Sequence, residues 1–252
     1  MPTPQTIDLT PFTQAAGGSG RLTGHLARPA GSGPWPGVIV LHEGWGVDDV
    51  MLRQTERLAR AGYLALMPDL YTQGGRRRCL VSVMRTALSG RGPAYDDIAA
   101  SRAYLAGLDD CTGSVGAIGF CVGGTFALMS AGTGLFDAAS VNYAPLPKKD
   151  EELERALAGA CPILVSYGRA DKALKGAAAR VETILDRAGV VHDVKEYPTA
   201  GHSFLNDAWN GPRPLRPLLR VSGVGPDPEA AADAWQRIEE FFGTHLQKAA
   251  AA

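Results

Sequence analysis

The sequence has 252 residues, of which 45% are hydrophobic and 20% are charged, and its formal net charge is −1. This composition is typical of a globular protein, and we expect a single domain over residues 1–252. Acidic and basic residues are interspersed, which argues against a nucleic-acid or anionic-membrane partner. The sequence contains neither a recognisable signal peptide nor an apolar stretch of membrane-spanning length, so we expect a cytoplasmic protein.

The cysteines are far apart and form no common pattern. They include no C-x-x-C pair, and no histidine lies at a spacing typical of metal ligands, so the sequence predicts neither a zinc site nor a disulfide framework. We therefore expect reduced thiols and no metal or other cofactor. The positions are Cys79, Cys111, Cys121 and Cys161.

The N-terminal part combines a polar segment with the first strands of a sheet. Residues 1–20 are polar and end in G-G-S-G at 17–20, which predicts a hairpin turn. Residues 21–26 then predict an edge strand, and residues 30–36 predict a loop. Residues 37–42 form a short continuous apolar run, which is typical of a parallel strand covered on both faces.

An amphipathic helix and a second buried strand follow. Residues 50–60 have the apolar spacing of a helix, with Asp48 as a start signal and Gly62 as a stop signal. Residues 63–68 predict the strand. The pattern of residues 69–93 is weaker, and there we expect a loop followed by a short helix.

The rest of the chain alternates strands with helices. This alternation predicts an α/β fold, in which a mostly parallel twisted sheet has helices on both faces and the site lies at the carboxyl ends of the strands. Residues 206–228 predict a long Pro-rich loop before the last helix, and loops of this length are often functional or disordered. The predicted helices cover residues 95–108, 151–157, 173–187 and 228–247, and the predicted strands cover residues 114–118, 139–143, 162–168 and 190–197.

The sequence G-F-C-V-G-G at residues 119–124 joins an apolar strand to a helical run. Small residues around Cys121 allow the strained turn of a nucleophile elbow, which lifts a reactive side chain above the sheet. The start of the helix can donate backbone N–H groups to an oxyanion. The same pattern fits a buried cysteine at a tight turn, because free cysteines are often core residues. Taken alone, the motif leaves both interpretations open.

Two later loops contain the other residues that a catalytic triad needs. Asp171 follows one predicted strand and His202 follows the last one. Taken singly, Asp171 could be a helix N-cap and His202 a solvated loop residue. The order Cys121, Asp171, His202 matches the order of triads in α/β-hydrolases. Because a thiol with a pKa of about 8.5 needs a base to become a good nucleophile at neutral pH, we predict a Cys-His-Asp triad.

Five motifs occur together in the chain: L-H-E-G-W-G-V at 41–47, P-D-L-Y at 68–71, G-F-C-V-G-G at 119–124, G-R-A-D at 168–171 and A-G-H-S-F at 200–204. With these motifs the chain resembles the dienelactone hydrolase family, the Cys-His-Asp branch of the α/β-hydrolases, from about Thr23 to Leu246. The resemblance implies an α/β-hydrolase fold. It also implies that Cys121 is the nucleophile, that His202 is the base and then the acid, and that Asp171 orients it.

The resemblance implies roles for residues around the triad as well. Glu43 is similar to the family's glutamate, which pairs with the resting thiol and helps to ionise it when substrate displaces that carboxylate. The alternative is a solvated loop carboxylate. The oxyanion hole would consist of the backbone N–H groups of Gly44 and Val122. We expect His42 to be a structural histidine.

The chain departs from the family in the residues that would bind a substrate carboxylate. The best-known members use two arginines, and Asn206 occupies the position of one of them. The second would lie within residues 76–85, where a solvated basic loop is an equal alternative. Trp45 and Tyr143 could form an aromatic pocket wall or pack in the core. The candidate substrate contacts are Trp45, Arg77, Arg78, Arg85, Tyr143, Ser203, Phe204 and Asn206.

We therefore expect a cofactor-free hydrolase that opens a lactone or a small carboxylic ester through an acyl-enzyme on Cys121. One alternative is an esterase or acyltransferase for uncharged acyl esters, which Asn206 favours. Another is a catalytically silent scaffold that binds a small ligand. The expected partner is a small-molecule lactone or ester, and the protein is expected to be a monomer or a dimer.

Overall fold

The computed structural model describes residues 3–211 and 223–246, without the side chains of residues 76–79. Its centre is an eight-stranded sheet with the order β1-β2-β4-β3-β5-β6-β7-β8. The pairs β1–β2 and β2–β4 are antiparallel, and the other neighbours are parallel. The strands are β1 Gln5–Asp8, β2 Thr23–Ala27, β3 Trp35–Leu41, β4 Leu64–Pro68, β5 Cys111–Phe120, β6 Ala139–Asn142, β7 Ile163–Gly168 and β8 His192–Tyr197.

Helices cover both faces of this sheet. Strands β4, β6 and β7 are buried at every residue, and since neighbouring side chains of a strand point to opposite faces, each face must be covered. Short 3₁₀ turns lie at Ala131–Thr133 and Lys172–Leu174. The helices are α1 Thr10–Ala15, α2 Asp49–Arg60, α3 Gly75–Ser89, α4 Pro93–Ala106, α5 Val122–Ser130, α6 Asp150–Leu157, α7 Ala177–Ala188 and α8 Pro228–His245.

The N-terminal segment differs from the prediction. The predicted hairpin turn at 17–20 is wrong, because β1 and helix α1 both lie within residues 1–20. The predicted edge strand over residues 21–26 is also wrong in its position, because β2 lies between β1 and β4. Strand β1 is short, and three of its four residues are exposed, so it has no apolar pattern that would reveal it.

A buried carboxylate connects this segment to helix α4. The Asp97 side chain is 2% exposed and accepts hydrogen bonds from the Thr13 hydroxyl, from the Ser19 N–H at 2.8 Å and from the Ser19 hydroxyl at 2.5 Å. Burying a carboxylate is unfavourable unless its oxygens receive hydrogen bonds. The residues before β2 are therefore part of the packed structure.

Two predicted helices have different bounds. Helix α3 has 15 residues, longer than the predicted short helix, and it buries Val83 and Ala87. The helix predicted over residues 173–187 is divided: a 3₁₀ turn at Lys172–Leu174 comes first, and α7 begins after Gly176, which has φ +79°. The predicted helix over residues 50–60 is confirmed, since α2 covers Asp49–Arg60 and Asp48 caps it by accepting from the Met51 N–H at 2.9 Å.

Candidate active site

The site lies where the parallel strands end. Glu43 follows β3, Cys121 follows β5, Asp171 follows β7 and His202 follows β8. The carboxyl ends of parallel strands meet at one edge of a sheet, which brings together side chains that are far apart in the sequence. The topology alone therefore places these four residues near one another.

Cys121 occupies a strained turn between β5 and helix α5. Its backbone has φ 53° and ψ −119°, a region that residues with a side chain rarely adopt. A Cβ atom on Gly123 would collide with the carbonyl of Leu41, so the start of α5 can approach the end of β3 only with glycine there. Cys121 itself is partly exposed. The turn therefore presents the sulfur at the surface of the site instead of burying it.

Backbone strain is concentrated around this cysteine. Among the described non-glycine residues, positive φ angles occur at Cys121, at Tyr143 with φ 41° and at Ser203 with φ 62°. Tyr143 follows β6, and Ser203 follows His202 directly. Such outliers persist only where the surrounding structure holds them, and they tend to cluster at functional sites.

Asp171 and His202 are paired. The Nδ1 atom of His202 lies 2.6 Å from Oδ2 of Asp171, and the other oxygen, Oδ1, accepts from the Ala173 N–H at 3.0 Å. Since a carboxylate only accepts, Nδ1 carries the proton and Nε2 is the nitrogen left for the thiol. Asp171 thus caps the 3₁₀ turn at Lys172–Leu174 and also binds the histidine.

The electrostatic environment favours a protonated His202. Burial by itself lowers the pKa of His202, but the neighbouring Cys121 and the hydrogen bond to Asp171 more than offset this effect and raise the pKa well above its ordinary value. An imidazolium next to a thiol favours the thiolate, which is the nucleophilic form. The His202 side chain is 19% exposed, so its edge remains open to solvent.

Glu43 is buried, and three described side chains donate hydrogen bonds to it. The Tyr143 hydroxyl donates to Oε1 at 3.0 Å, the Asn206 amide donates to Oε1 at 3.2 Å, and the Asn210 amide donates to Oε2 at 2.5 Å. Glu43 is 2% exposed, so the alternative of a solvated loop carboxylate is wrong. Burial raises the pKa of Tyr143 well above its ordinary value, and the adjacent Glu43 raises it further. Tyr143 therefore remains a donor at neutral pH.

His42 fixes the peptide between Glu43 and Gly44. Its Nδ1 lies 2.8 Å from the Glu43 carbonyl, which also accepts from the Gly46 N–H at 2.9 Å, and its Nε2 accepts from the Leu70 N–H at 3.2 Å. His42 is thus the neutral Nδ1–H tautomer, and burial lowers its pKa. Because a trans peptide directs its C=O and N–H in opposite directions, holding the carbonyl also sets the direction of the Gly44 N–H.

A cavity of about 180 Å³ lies above the cysteine. Its walls are mostly apolar, and the described residues that line it include no lysine or arginine. A Cβ atom on Gly211 would lie 2.8 Å from the indole of Trp45, so this glycine allows the backbone to pack against the tryptophan wall. The lining residues are Glu43, Gly44, Trp45, Leu80, Cys121, His202, Ser203 and Val224.

Residues 223–225 pair with the backbone of His202. The His202 N–H donates to the Gly223 carbonyl at 2.9 Å, and the Gly225 N–H donates to the His202 carbonyl at 2.8 Å. This parallel bridge, between His202 and Val224, holds the backbone of the histidine on both sides. It also explains how Val224, which no motif marks, comes to line the cavity.

The candidate substrate contacts separate into four groups. Trp45 and Ser203 line the cavity. Tyr143, Phe204 and Asn206 do not line it: Phe204 packs at 0% exposure, and the other two bind Glu43 from behind. Arg85 is exposed on helix α3 and is not part of the lining. The side chains of Arg77 and Arg78 lie outside the described part of the structure.

Sequence reasoning did not identify Asn210, Leu80 or Val224. Asn210 is 7% exposed and makes the shortest hydrogen bond to Glu43. Its only signal in the sequence is its place in the long segment before the last helix. Of the oxyanion candidates, Gly44 lines the cavity, and Val122 is the buried first residue of α5.

Within residues 3–211 and 223–246, no group of three or more histidine, cysteine, aspartate or glutamate side chains is arranged to hold a metal ion. None of the described helices is long and apolar enough to cross a membrane.

The sequence and the fold are similar to those of other proteins. The sequence pattern of the dienelactone hydrolase family matches residues 22–246. A carboxymethylenebutenolidase of Rhodococcus opacus is 30% identical over 88% of this chain and 85% of its own. A putative carboxymethylenebutenolidase of Methylorubrum extorquens is 29% identical over 88% of this chain and 77% of its own.

The solved structures agree with this assignment. The dienelactone hydrolase-like promiscuous phosphotriesterase P91, from metagenomic libraries, superposes with a TM-score of 0.78 at 26% identity, covering 97% of this chain and 98% of its own. The predicted α/β-hydrolase fold is thereby confirmed. The chain belongs to the dienelactone hydrolase family and is an enzyme with the α/β-hydrolase fold.

Proposed function

We propose that this protein hydrolyses small, uncharged lactones or carboxylic esters through an acyl-enzyme on Cys121. The observation that carries the proposal is the strained turn that presents Cys121 next to the paired His202 and Asp171. This combination supplies a nucleophile, a proton carrier and an orienting carboxylate. A silent binding scaffold would not require any of the three.

The first half of the reaction forms the acyl-enzyme. The Cys121 thiolate attacks the substrate carbonyl carbon, and the electrons of the C=O bond move to its oxygen. The backbone N–H groups of Gly44 and Val122 are the proposed donors to this oxyanion. Collapse of the intermediate breaks the C–O bond to the leaving group, which takes the proton from Nε2 of His202. In a lactone the leaving oxygen stays attached to the acyl chain.

The second half releases the acid. Neutral His202 accepts a proton from water, and the resulting hydroxide attacks the thioester carbon. Collapse of this intermediate breaks the C–S bond, which restores the thiolate and the imidazolium and frees the carboxylic acid. The partly exposed edge of His202 supports hydrolysis over transfer to another acceptor, since water can reach it.

The cavity supports a preference for small, neutral substrates. Its volume of about 180 Å³ is below the range of roughly 300–1,000 Å³ that is usual for drug-sized ligands. A substrate carboxylate would meet the Glu43 side chain with no lysine or arginine among the described lining residues. A neutral acyl group avoids this repulsion.

The experiment compares p-nitrophenyl acetate, butyrate and octanoate with neutral lactones, in the wild type, in Cys121→Ala and in the control Cys111→Ala. We expect turnover of the short substrates, no turnover in Cys121→Ala and wild-type turnover in Cys111→Ala. Mass spectrometry after an acid quench should detect an acetyl group on the peptide that contains Cys121. Full activity of Cys121→Ala, or an acyl group on another residue, would exclude the proposed mechanism.

A further inference from the structure

We infer that Asn206 and Asn210 are positioning residues that hold Glu43 as a fixed carboxylate in the cavity that contains the reactive thiol. The inference rests on the proposed function, since it assigns Glu43 a place in the chemistry of Cys121. It adds to that function a role for residues 206–211, here called the strap, whose two asparagine amides donate to Glu43. No motif of the sequence indicates this role.

The donors that the structure describes around the buried carboxylate are neutral. Its hydrogen-bond partners among the described residues are one phenol and two amides, and the group contains no lysine or arginine. A buried carboxylate that lacks a cation stays ionised only where hydrogen bonds compensate for lost hydration. Each amide therefore matters more here than it would beside an arginine.

Asn206 is oriented for this purpose at a cost to its own hydrogen bonding. Its amide nitrogen donates to Glu43, whereas its buried Oδ1 has no hydrogen-bond partner. An unpaired buried oxygen is unfavourable, so a side chain placed only for stability would be expected to satisfy it. A role in binding Glu43 explains this orientation, because the amide nitrogen then points at the carboxylate.

The strap is fixed at several points, so its amides are held in place. The Asn206 N–H donates to the Ser203 carbonyl at 3.1 Å, and the Gln54 amide donates to the Leu205 carbonyl at 3.0 Å. Gln54 lies on helix α2, which therefore supports the strap from outside the site. Arg53, on the same helix, pairs with Asp207, but both side chains are exposed, at 41% and 50%, so this pair adds little to the position of the strap.

In the described part of the chain, three titratable groups donate to the Glu43 carboxylate or line the same cavity. Tyr143 donates to it directly, and Cys121 and His202 share the cavity lining with it. His42 contacts the backbone carbonyl of Glu43 and not its carboxylate, and it is neutral because its Nε2 accepts from the Leu70 N–H. The strap holds the carboxylate at a set position in the cavity lining that it shares with Cys121 and His202. From there the charge of the carboxylate can act on the ionisation of the thiol and the imidazole.

The test removes one amide and measures the carboxyl group itself. In protein labelled with ¹³C-glutamate, the Glu43 carboxyl resonance is assigned with Glu43→Gln and titrated in the wild type, Asn210→Leu, Asn210→Asp and the control Asp207→Asn. Asp207 lies on the same strap but is exposed and binds Arg53, so the control changes a charge without touching Glu43.

We expect the midpoint of the Glu43 titration to rise by about one unit in Asn210→Leu, since a charge-assisted hydrogen bond is lost. The rise should be larger in Asn210→Asp, where two adjacent carboxylates share a proton. The acid limb of the kcat/KM profile for p-nitrophenyl acetate should move in the same direction, with KM nearly unchanged. Asp207→Asn should leave both profiles in place.

Unmoved midpoints in both Asn210 variants would overturn the inference, as would a moved midpoint with an unmoved acid limb. A shift of equal size in Asp207→Asn would also overturn it, because the effect would then be a general one of charge. If one Asn210 variant does not fold, the other decides. If the wild type hydrolyses no ester, the proposed function fails, and the carboxyl titration still decides whether the strap holds Glu43.

Discussion

Asp171 divides its carboxylate between His202 and the backbone that follows it, with Oδ2 on the histidine at 2.6 Å and Oδ1 on the Ala173 N–H at 3.0 Å. One oxygen therefore serves the site and the other serves the fold. The two functions can be separated by substitution, because asparagine keeps an oxygen for the cap but replaces the second oxygen with a donor.

We expect Asp171→Asn to keep nearly wild-type stability while kcat/KM for p-nitrophenyl acetate falls by roughly 10³ to 10⁴, since the amide favours the wrong histidine tautomer. Asp171→Ala should lose similar activity and about 1 kcal/mol of unfolding free energy in addition, because the cap is lost too. Urea unfolding together with steady-state kinetics measures both. Equal stability of the two variants would contradict the dual role.

The thiols should differ in reactivity in the native protein. Burial raises the pKa of Cys161 to about 12 and also raises that of Cys111, whereas Cys121 is partly exposed beside a histidine that tends to be protonated. The thiolate is the reactive form, so of these three cysteines iodoacetamide should label Cys121 first and Cys161 last. Peptide mass spectrometry at short labelling times gives the order. Labelling of Cys161 before Cys121 would contradict this electrostatic description.

His42 should affect both catalysis and stability. His42→Phe removes the hydrogen bond that holds the Glu43 carbonyl, and we expect kcat to fall by up to about 10²-fold through a displaced Gly44 N–H, with little change in KM. His25→Phe is the control, because it removes a histidine on β2, which is only partly buried. An unchanged kcat in His42→Phe would show that His42 is not needed to direct the Gly44 N–H.

The same variant should alter how stability depends on pH. Burial lowers the pKa of His42 in the folded protein, whereas the unfolded chain takes up a proton near its ordinary value of about 6.5. The unfolded state then binds more protons, so the contribution of His42 is complete above about pH 6.5 and is lost as the pH falls below it. The stability difference between wild type and His42→Phe should therefore narrow from pH 7 to pH 5 in urea unfolding experiments.

Substrate charge should influence turnover. We expect the wild type to prefer the methyl ester of a dienelactone over the free acid, because Asn206 binds Glu43 where the family carries an arginine. An arginine–carboxylate contact contributes roughly 1.5 to 3 kcal/mol, so its absence corresponds to about one to two orders of magnitude in kcat/KM. Asn206→Arg should shift the preference toward the acid. A wild type that already prefers the acid a hundredfold, with no gain in Asn206→Arg, would show that another residue supplies the cation.

The parts of the fold that the sequence predicts well are those with a local pattern. The apolar run at 37–42 and the motif at 119–124 encode a buried strand and a tight turn through residues that are neighbours in the chain. Strand β1 lacks such a pattern because most of its side chains face solvent. Helix α3 begins with a run of arginines, which interrupts the apolar spacing by which a helix is recognised in a sequence.

In the site, too, the residues with a local sequence pattern are the predictable ones. Cys121, Asp171 and His202 each follow a predicted strand, so their meeting is a consequence of topology. The pairing of Glu43 with Asn210 joins residues 167 positions apart, on loops whose course depends on the packing of α2 and α8, and no local pattern encodes it. Asn206 was identified by position, but its neighbours could be known only from the folded chain.

The Asp97 hydrogen bonds have a consequence for where this protein can be cut. The region shared with the family begins at Leu22, after Thr13 and Ser19, which both donate to that carboxylate. A chain that begins at Leu22 would contain every proposed catalytic residue and yet leave the buried Asp97 side chain without the donors from Thr13 and Ser19. Such a chain should therefore unfold at a lower urea concentration than the full sequence, although it spans the whole region shared with the family.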